Sequence, residues 1–298
     1  MTGTPSGPPT RSHVAAAAAF VFVCIGAIAA APRAADSRLW LDRVNFYRAT
    51  AGLPPVEEDP GLSGSVSEHA RYMVRHDEIK HTQNQRRALA SRAGAEAAAA
   101  SVLAGSSSAK ETDVWAVDLW MQGPFHALGL LDPALERVGF GIYRASGGKI
   151  QTAAGLDVVR GRNTSGTPRP FPVMWPANGA TVPIGTSAAE YPNPIAGCRD
   201  YATPAGLPVI VQLGSGNVTP RVTGSWFMDG NRPVKHCVFH ETNYRNGNQV
   251  EQQLGRAILD AHDAVVLVPR APLQPGRTYR VVIDANGQRI DWTFRVSR

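Results

Sequence analysis

The residues best suited to chemistry in this chain are its histidines, and three of the eight crowd into one stretch, EHARYMVRHDEIKH, from Glu68 to His81. Imidazole is the commonest metal ligand and the usual acid or base near neutral pH. On a helix His69 and His76 would share a face, and His81 would lie past the helix end. A lone helical histidine more often packs, bonds a backbone carbonyl or faces water, so the stretch by itself leaves metal binding, acid–base work and plain folding open. A further histidine, His126, follows a Gly-Pro turn in VWAVDLWMQGPFHALG. His236 and His240 flank Cys237 and would share a strand face, a ligand pair or an ordinary surface.

Other constellations are absent. HDEIKH spaces its histidines one residue too far apart for the zinc motif H-E-x-x-H. GLSGS (Gly61–Ser65) has the wrong spacing for a nucleophile elbow and falls at a helix start. LGSGN (Leu213–Asn217) has no helix signal after it, which argues against a phosphate cradle.

The elements that must position these side chains divide near Arg160–Pro172, a polar segment rich in Gly and Pro. Before it the chain reads as mostly helical. DSRLWLDRVNFYRATAG opens on the capping candidates Asp36 and Ser37 and stops at Gly52. A second helix starts at Asp59-Pro60 and carries Leu62, Val66, Ala70 and Met73 on one face. The alanine-rich run Ala88–Ala104 is helical in part, KETDVWAVDLWMQ is another helix, and the strands Arg137–Tyr143 and Ile150–Val159 follow. After the divide the pattern reads as all-β: LPVIVQLG, VTGSWFMDG, KHCVFH, DAVVLVP, RTYRVVIDANG and RIDWTFRV alternate with turns. Asn286-Gly287 marks a tight hairpin.

Composition fits an exported globular protein. The chain has 298 residues, 43% hydrophobic and 18% charged, enough for one large packed domain or two ordinary ones. Its formal charge of +6 is scattered; no basic block with interleaved aromatics suggests a nucleic-acid groove, while dispersed positive charge suits anionic surfaces such as cell-wall polymer or lipid headgroups. Arg11, the apolar run VAAAAAFVFVCIGAIAAA and its A-x-A ending read as a secretory signal peptide over residues 1–31, with no stable membrane span once it is cleaved after Ala29 or Ala31; an uncleaved anchor is the competing reading. Cys24 would leave with the signal. Cys198 and Cys237 remain, a pair expected to form a disulfide in an oxidising compartment, with two buried thiols as the alternative.

Taken in order, Asn45, Arg48, His81, Trp120, Pro124, His126 and Gly139 resemble the CAP superfamily, the cysteine-rich secretory, antigen 5 and pathogenesis-related 1 proteins and their bacterial SCP-like relatives. The motifs are VNFYRATAGLPPV, HARYM, the histidine at 81, W-M-Q-G-P-F-H and the VGFG strand, covering about Ser37–Val159. PLQPGRTYRVVI loosely resembles late strands of immunoglobulin-like and fibronectin-like modules, in which Tyr279 would enter the core. The implied fold is α+β: a CAP-like α-β-α sandwich over 36–160, a linker over 161–172 and an immunoglobulin-like β-sandwich over 173–298.

The resemblance implies an open groove in which two histidines and two acids can hold a divalent metal such as zinc. His81 and His126 fill the histidine positions, and His69 also stands where many bacterial members carry histidine. The acids do not carry over. One position falls at Ala99-Ala100-Ser101, with Glu96 out of register; the other is Gly123, with Asp118 on the wrong side of the tryptophan. Two unaided imidazoles make a poor zinc site, with nothing to orient either ring and no base for a bound water. The expectation is therefore a secreted bacterial envelope protein without a cofactor. It would bind a lipid, glycan or peptide without turnover in a groove formed by His81, His126, Trp120 and His69. The rivals are a metal-assisted hydrolase or protease using the same histidines, with Glu96 or Glu111 as the acid, and a structural or adhesive envelope protein.

Overall fold

The structure, a computed structural model, describes residues 38–165 and 170–298. The expected signal segment, Cys24 and the capping candidates Asp36 and Ser37 lie outside the described residues.

The amino-terminal half runs α1 (Leu39–Ala49), β1 (Glu57–Glu58), α2 (Pro60–Arg75), α3 (Arg92–Ala100), β2 (Ser101–Ser106), α4 (Asp113–Met121), α5 (Pro124–Leu130), β3 (Arg137–Arg144) and β4 (Thr152–Asp157). Local chemistry sets the helix starts. Asp59 Oδ1 accepts from Gly61 N and Leu62 N at 2.9 and 3.1 Å, Ser91 Oγ from Gly94 N at 2.9 Å, and Thr112 Oγ1 from Trp115 N at 3.2 Å; each satisfies donors that a helix start leaves free. The alanine run changes state at Ser101, where the chain pairs antiparallel with β4.

The sheet order is β1-β3-β4-β2, with β1 parallel to β3. α2 and α3 pack together on one side, while α1, α4 and α5 form the other layer. α2 lies against β3 because the strand offers glycine: a Cβ on Gly141 would strike the backbone of Val66 and Ser67.

The motif residues of α1 clamp the layer. Asn45 both donates to Val56 O and accepts from Val56 N, at 3.0 and 2.8 Å. Arg48 is fully buried and donates to the carbonyls of Pro54, Leu130, Asp132 and Leu135. Many charge-assisted bonds to carbonyls are what make a buried guanidinium tolerable.

The second half continues with β5 (Val173–Trp175), β6 (Thr181–Val182), β7 (Val209–Gln212), β8 (Val222–Asp229), β9 (Arg232–Pro233), β10 (His236–Phe239), α6 (Gln249–Asp260), β11 (Ala264–Pro269), β12 (Thr278–Ala285) and β13 (Gln288–Val296). They form two sheets, β10-β11-β7-β5 and β6-β13-β12-β8-β9, antiparallel apart from the β6–β13 pair. All six expected strands are present, and Asn286 and Gly287 turn the β12–β13 hairpin with φ of 50° and 78°, the backbone that a two-residue hairpin needs. Tyr279 is buried, as expected. Cys198 and Cys237 are joined, their Cα atoms 5.8 Å apart.

The all-β expectation fails at α6. Asn248 Oδ1 caps this helix through Val250 N at 2.9 Å, and Gly255 lets it press on Tyr244 and Phe125, where an added Cβ would strike Tyr244 Cε1 and lie 3.1 Å from Phe125 Cζ. Phe125 belongs to α5, so the helix that the strand pattern concealed buttresses the helix that carries His126.

One continuous apolar core runs from Trp40 to Val296 through both halves. Polar ties cross the same seam: Trp175 Nε1 donates to Thr50 Oγ1 at 3.1 Å, and Gln212 Nε2 to Leu131 O at 2.9 Å. The segment expected as a linker starts strapped down, with Asn163 N donating to Ala134 O at 2.7 Å and Arg162 paired with Asp132 at 2.7 Å.

Candidate functional site

Each of the three histidines expected in a groove has a different job. His69 on α2 is 1% exposed. Its Nε2 donates to Lys80 O at 2.9 Å, and its Nδ1 accepts from Gln83 Nε2 at 3.1 Å. Both nitrogens are committed, and desolvation pushes its pKa down to about 4. His69 is therefore a neutral brace for the 80–83 loop that presents His81, and not a groove ligand as expected. His76 turns its Nε2 to Ala88 O at 2.8 Å.

His81 donates from Nδ1 to Ala98 O at 3.0 Å, since a carbonyl can only accept. The residue as a whole is exposed. Desolvation holds its pKa below the ordinary value, against the bond to Ala98 O, which raises it, and with a lesser lowering from His126.

His126 sits in the first turn of α5. Its Nδ1 lies 2.5 Å from Glu190 Oε2. Glu190 comes from the loop between β6 and β7, in the other half of the chain. Its side chain is 3% exposed, and it also accepts from Phe125 N at 3.1 Å and His126 N at 3.2 Å. With backbone donors on both oxygens the carboxylate is an acceptor, so His126 holds its proton on Nδ1. This corrects the expectation that no acid orients either ring. The acid positions named by the resemblance are indeed vacant, and neither Glu96 nor Glu111 replaces them: Glu96 pairs with Arg92 and Glu111 accepts from Ser106 Oγ. Asp118 is taken by Arg43 and Tyr47.

Glu190 was missed because a contact between distant loops leaves no period or spacing in the sequence. The available signal was compositional: Glu190 is the one acidic residue between Asp157 and Asp200. Its loop is pinned by Ala188 N donating to Gln122 O at 3.2 Å and Tyr244 Oη donating to Asn193 O at 2.7 Å.

Trp120 is also corrected. It is 1% exposed, beneath the surface and edge-on to Phe140, and its buried Nε1 has no hydrogen-bond partner among the described residues. His236 and His240 do not pair as ligands: His236 bonds Val234 O and Ser225 Oγ, and His240 bonds Thr242 Oγ1.

In the neutral form of either ring the proton is therefore on Nδ1, and among the described residues Nε2 has no hydrogen-bond partner. Two such nitrogens could ligate a metal, but structural zinc takes four protein ligands and catalytic zinc three. Among the described residues no group of three or more His, Cys, Asp or Glu side chains could hold an ion. The donor set does not fit a resident zinc.

The pattern that defines CAP, the Cysteine-rich secretory protein family, matches residues 41–154. This supports a CAP domain over that span, and the three-layered arrangement of helices and sheet agrees with it. No curated protein matches the chain. Glu190 lies outside the matched span.

Proposed function

We propose that the chain is an exported bacterial envelope protein whose CAP groove binds a hydroxyl-rich ligand, a cell-wall glycan, without turning it over. The observation that carries this reading is the pair of Nδ1 hydrogen bonds, His81 to Ala98 O and His126 to Glu190. Whenever a ring is neutral, such a bond leaves its Nε2 as a hydrogen-bond acceptor. Acceptors select donors, so sugar hydroxyls suit the site and the phosphate of a lipid headgroup, an acceptor itself, does not. The Cys198–Cys237 crosslink and the signal-like amino terminus support export to an oxidising compartment, and the β-sheet half would serve as an immunoglobulin-like module beside the groove.

The test is calorimetric titration of soluble bacterial cell-wall glycan fragments into the mature protein. Binding should be lost in a His81→Ala/His126→Ala variant. Equal binding by both proteins would sink the proposal and favour a purely structural envelope role.

The carboxylate on His126 supports a second reading, a hydrolase in which His126 is the general base. Hydrolysis of an ester or peptide substrate, abolished by His126→Ala, would replace the first reading. A submicromolar zinc affinity lost in the double variant would restore the metal-assisted form.

A further inference from the structure

Gly123, the residue before α5, has no side chain, and the space where one would start is already filled. A Cβ built there would strike Glu190 Oε2 and lie 2.5 Å from Glu190 Cδ and 3.0 Å from Oε1. Gly123 does not need glycine for its backbone, since its φ of −116° and ψ of 122° are open to any residue. What requires glycine is the carboxylate. That carboxylate is 3% exposed, accepts from two backbone amides and reaches Nδ1 of His126.

We infer that Glu190 is a positioning residue for His126, delivered by the carboxy-terminal half into a cavity that Gly123 leaves open, so that the groove is completed by two parts of the chain. This role deepens the reading of the histidine pair as a ligand site and rests on it, but what it fixes physically is the state of one ring. An imidazole in water exchanges its proton between nitrogens. A buried carboxylate at Nδ1 holds the proton of the neutral ring there, which leaves Nε2 as the acceptor. Two further bonds keep the loop in place, since Ala188 N and Thr186 Oγ1 both bond Gln122, next to Gly123, at 3.2 and 3.3 Å.

The geometry predicts a reciprocal exchange. In the native protein Gly123→Glu collides with Glu190. In Glu190→Ala the cavity is empty, and a glutamate at 123 can place its own carboxylate there.

The experiment is nitrogen-15 NMR of the His126 side chain in the ligand-free protein, with thermal unfolding to confirm that each variant folds. The native ring should be in the Nδ1–H form. Glu190→Ala should lower the ratio of that form to the Nε2–H form by about tenfold or more, the size of one hydrogen bond to a charged group. Gly123→Glu/Glu190→Ala should recover the native form. An unchanged ring in folded Glu190→Ala would overturn the positioning role. A folded double variant that stays mixed would overturn the claim that the two positions serve one cavity. Since no ligand is present, these results are independent of the glycan titration, which can fail with the ring effect intact.

Discussion

His69 shows how a residue chosen for its chemistry can serve by declining to react. In the folded protein its pKa is about 4, against an ordinary 6.5. As pH falls through 6.5 the unfolded chain takes up a proton that the folded chain refuses until about 4. Its contribution is therefore whole above the ordinary value, declines between 6.5 and 4, and levels off below. Between pH 7 and pH 4.5 this amounts to about 2–3 kcal/mol, at 1.36 kcal/mol for each unit of displacement. Urea midpoints at those two pH values should differ accordingly in the native protein, and His69→Gln should flatten the difference. His81 and His240 are displaced in the same direction, so some slope should survive. Of the site, His81 and His126 were singled out by motif order. The acid was not, because the sequence records neighbours along the chain and Glu190 is a neighbour only in space.

The elements divide along similar lines. The β12–β13 hairpin was legible because Asn286-Gly287 has few other uses, and α2 because Asp59-Pro60 announces its start. β5, β6 and β9 are too short to show alternation, and α6 exposes Val250 and Leu254, which blurs its helical face. The close fit of α2 on β3 supplies the prediction at this scale. Gly141→Ala would push a methyl group into the backbone of Val66 and Ser67, where neither a helix nor a central strand can yield. Overpacking of this kind costs about 1–3 kcal/mol, sometimes more. Chemical denaturation should show that loss, while the distant Gly230→Ala, at an open turn with φ of 58°, should show only backbone strain.

For the whole molecule, the two cysteines outside the expected signal segment were a sound guide to the crosslink, but the Gly- and Pro-rich divide was a poor guide to independence, because composition does not reveal which surfaces meet. Trp40 and Val296 belong to the same core. The Cys198–Cys237 bond closes a loop with a separation of 39 residues, worth about 4 kcal/mol through loop-closure entropy. A Cys198→Ser/Cys237→Ser variant should lose roughly that much in a guanidinium melt. The loss should reach the amino-terminal half as well, seen as matching midpoints by tryptophan fluorescence and far-ultraviolet circular dichroism.

A carboxylate that crosses from one half of the polypeptide to the other also constrains ancestry. Were recombination to give this groove a new downstream neighbour, His126 would be left bare beside an empty hollow at Gly123. The lineage must hand down both halves as a unit, or regain an acid at position 123 before they can part.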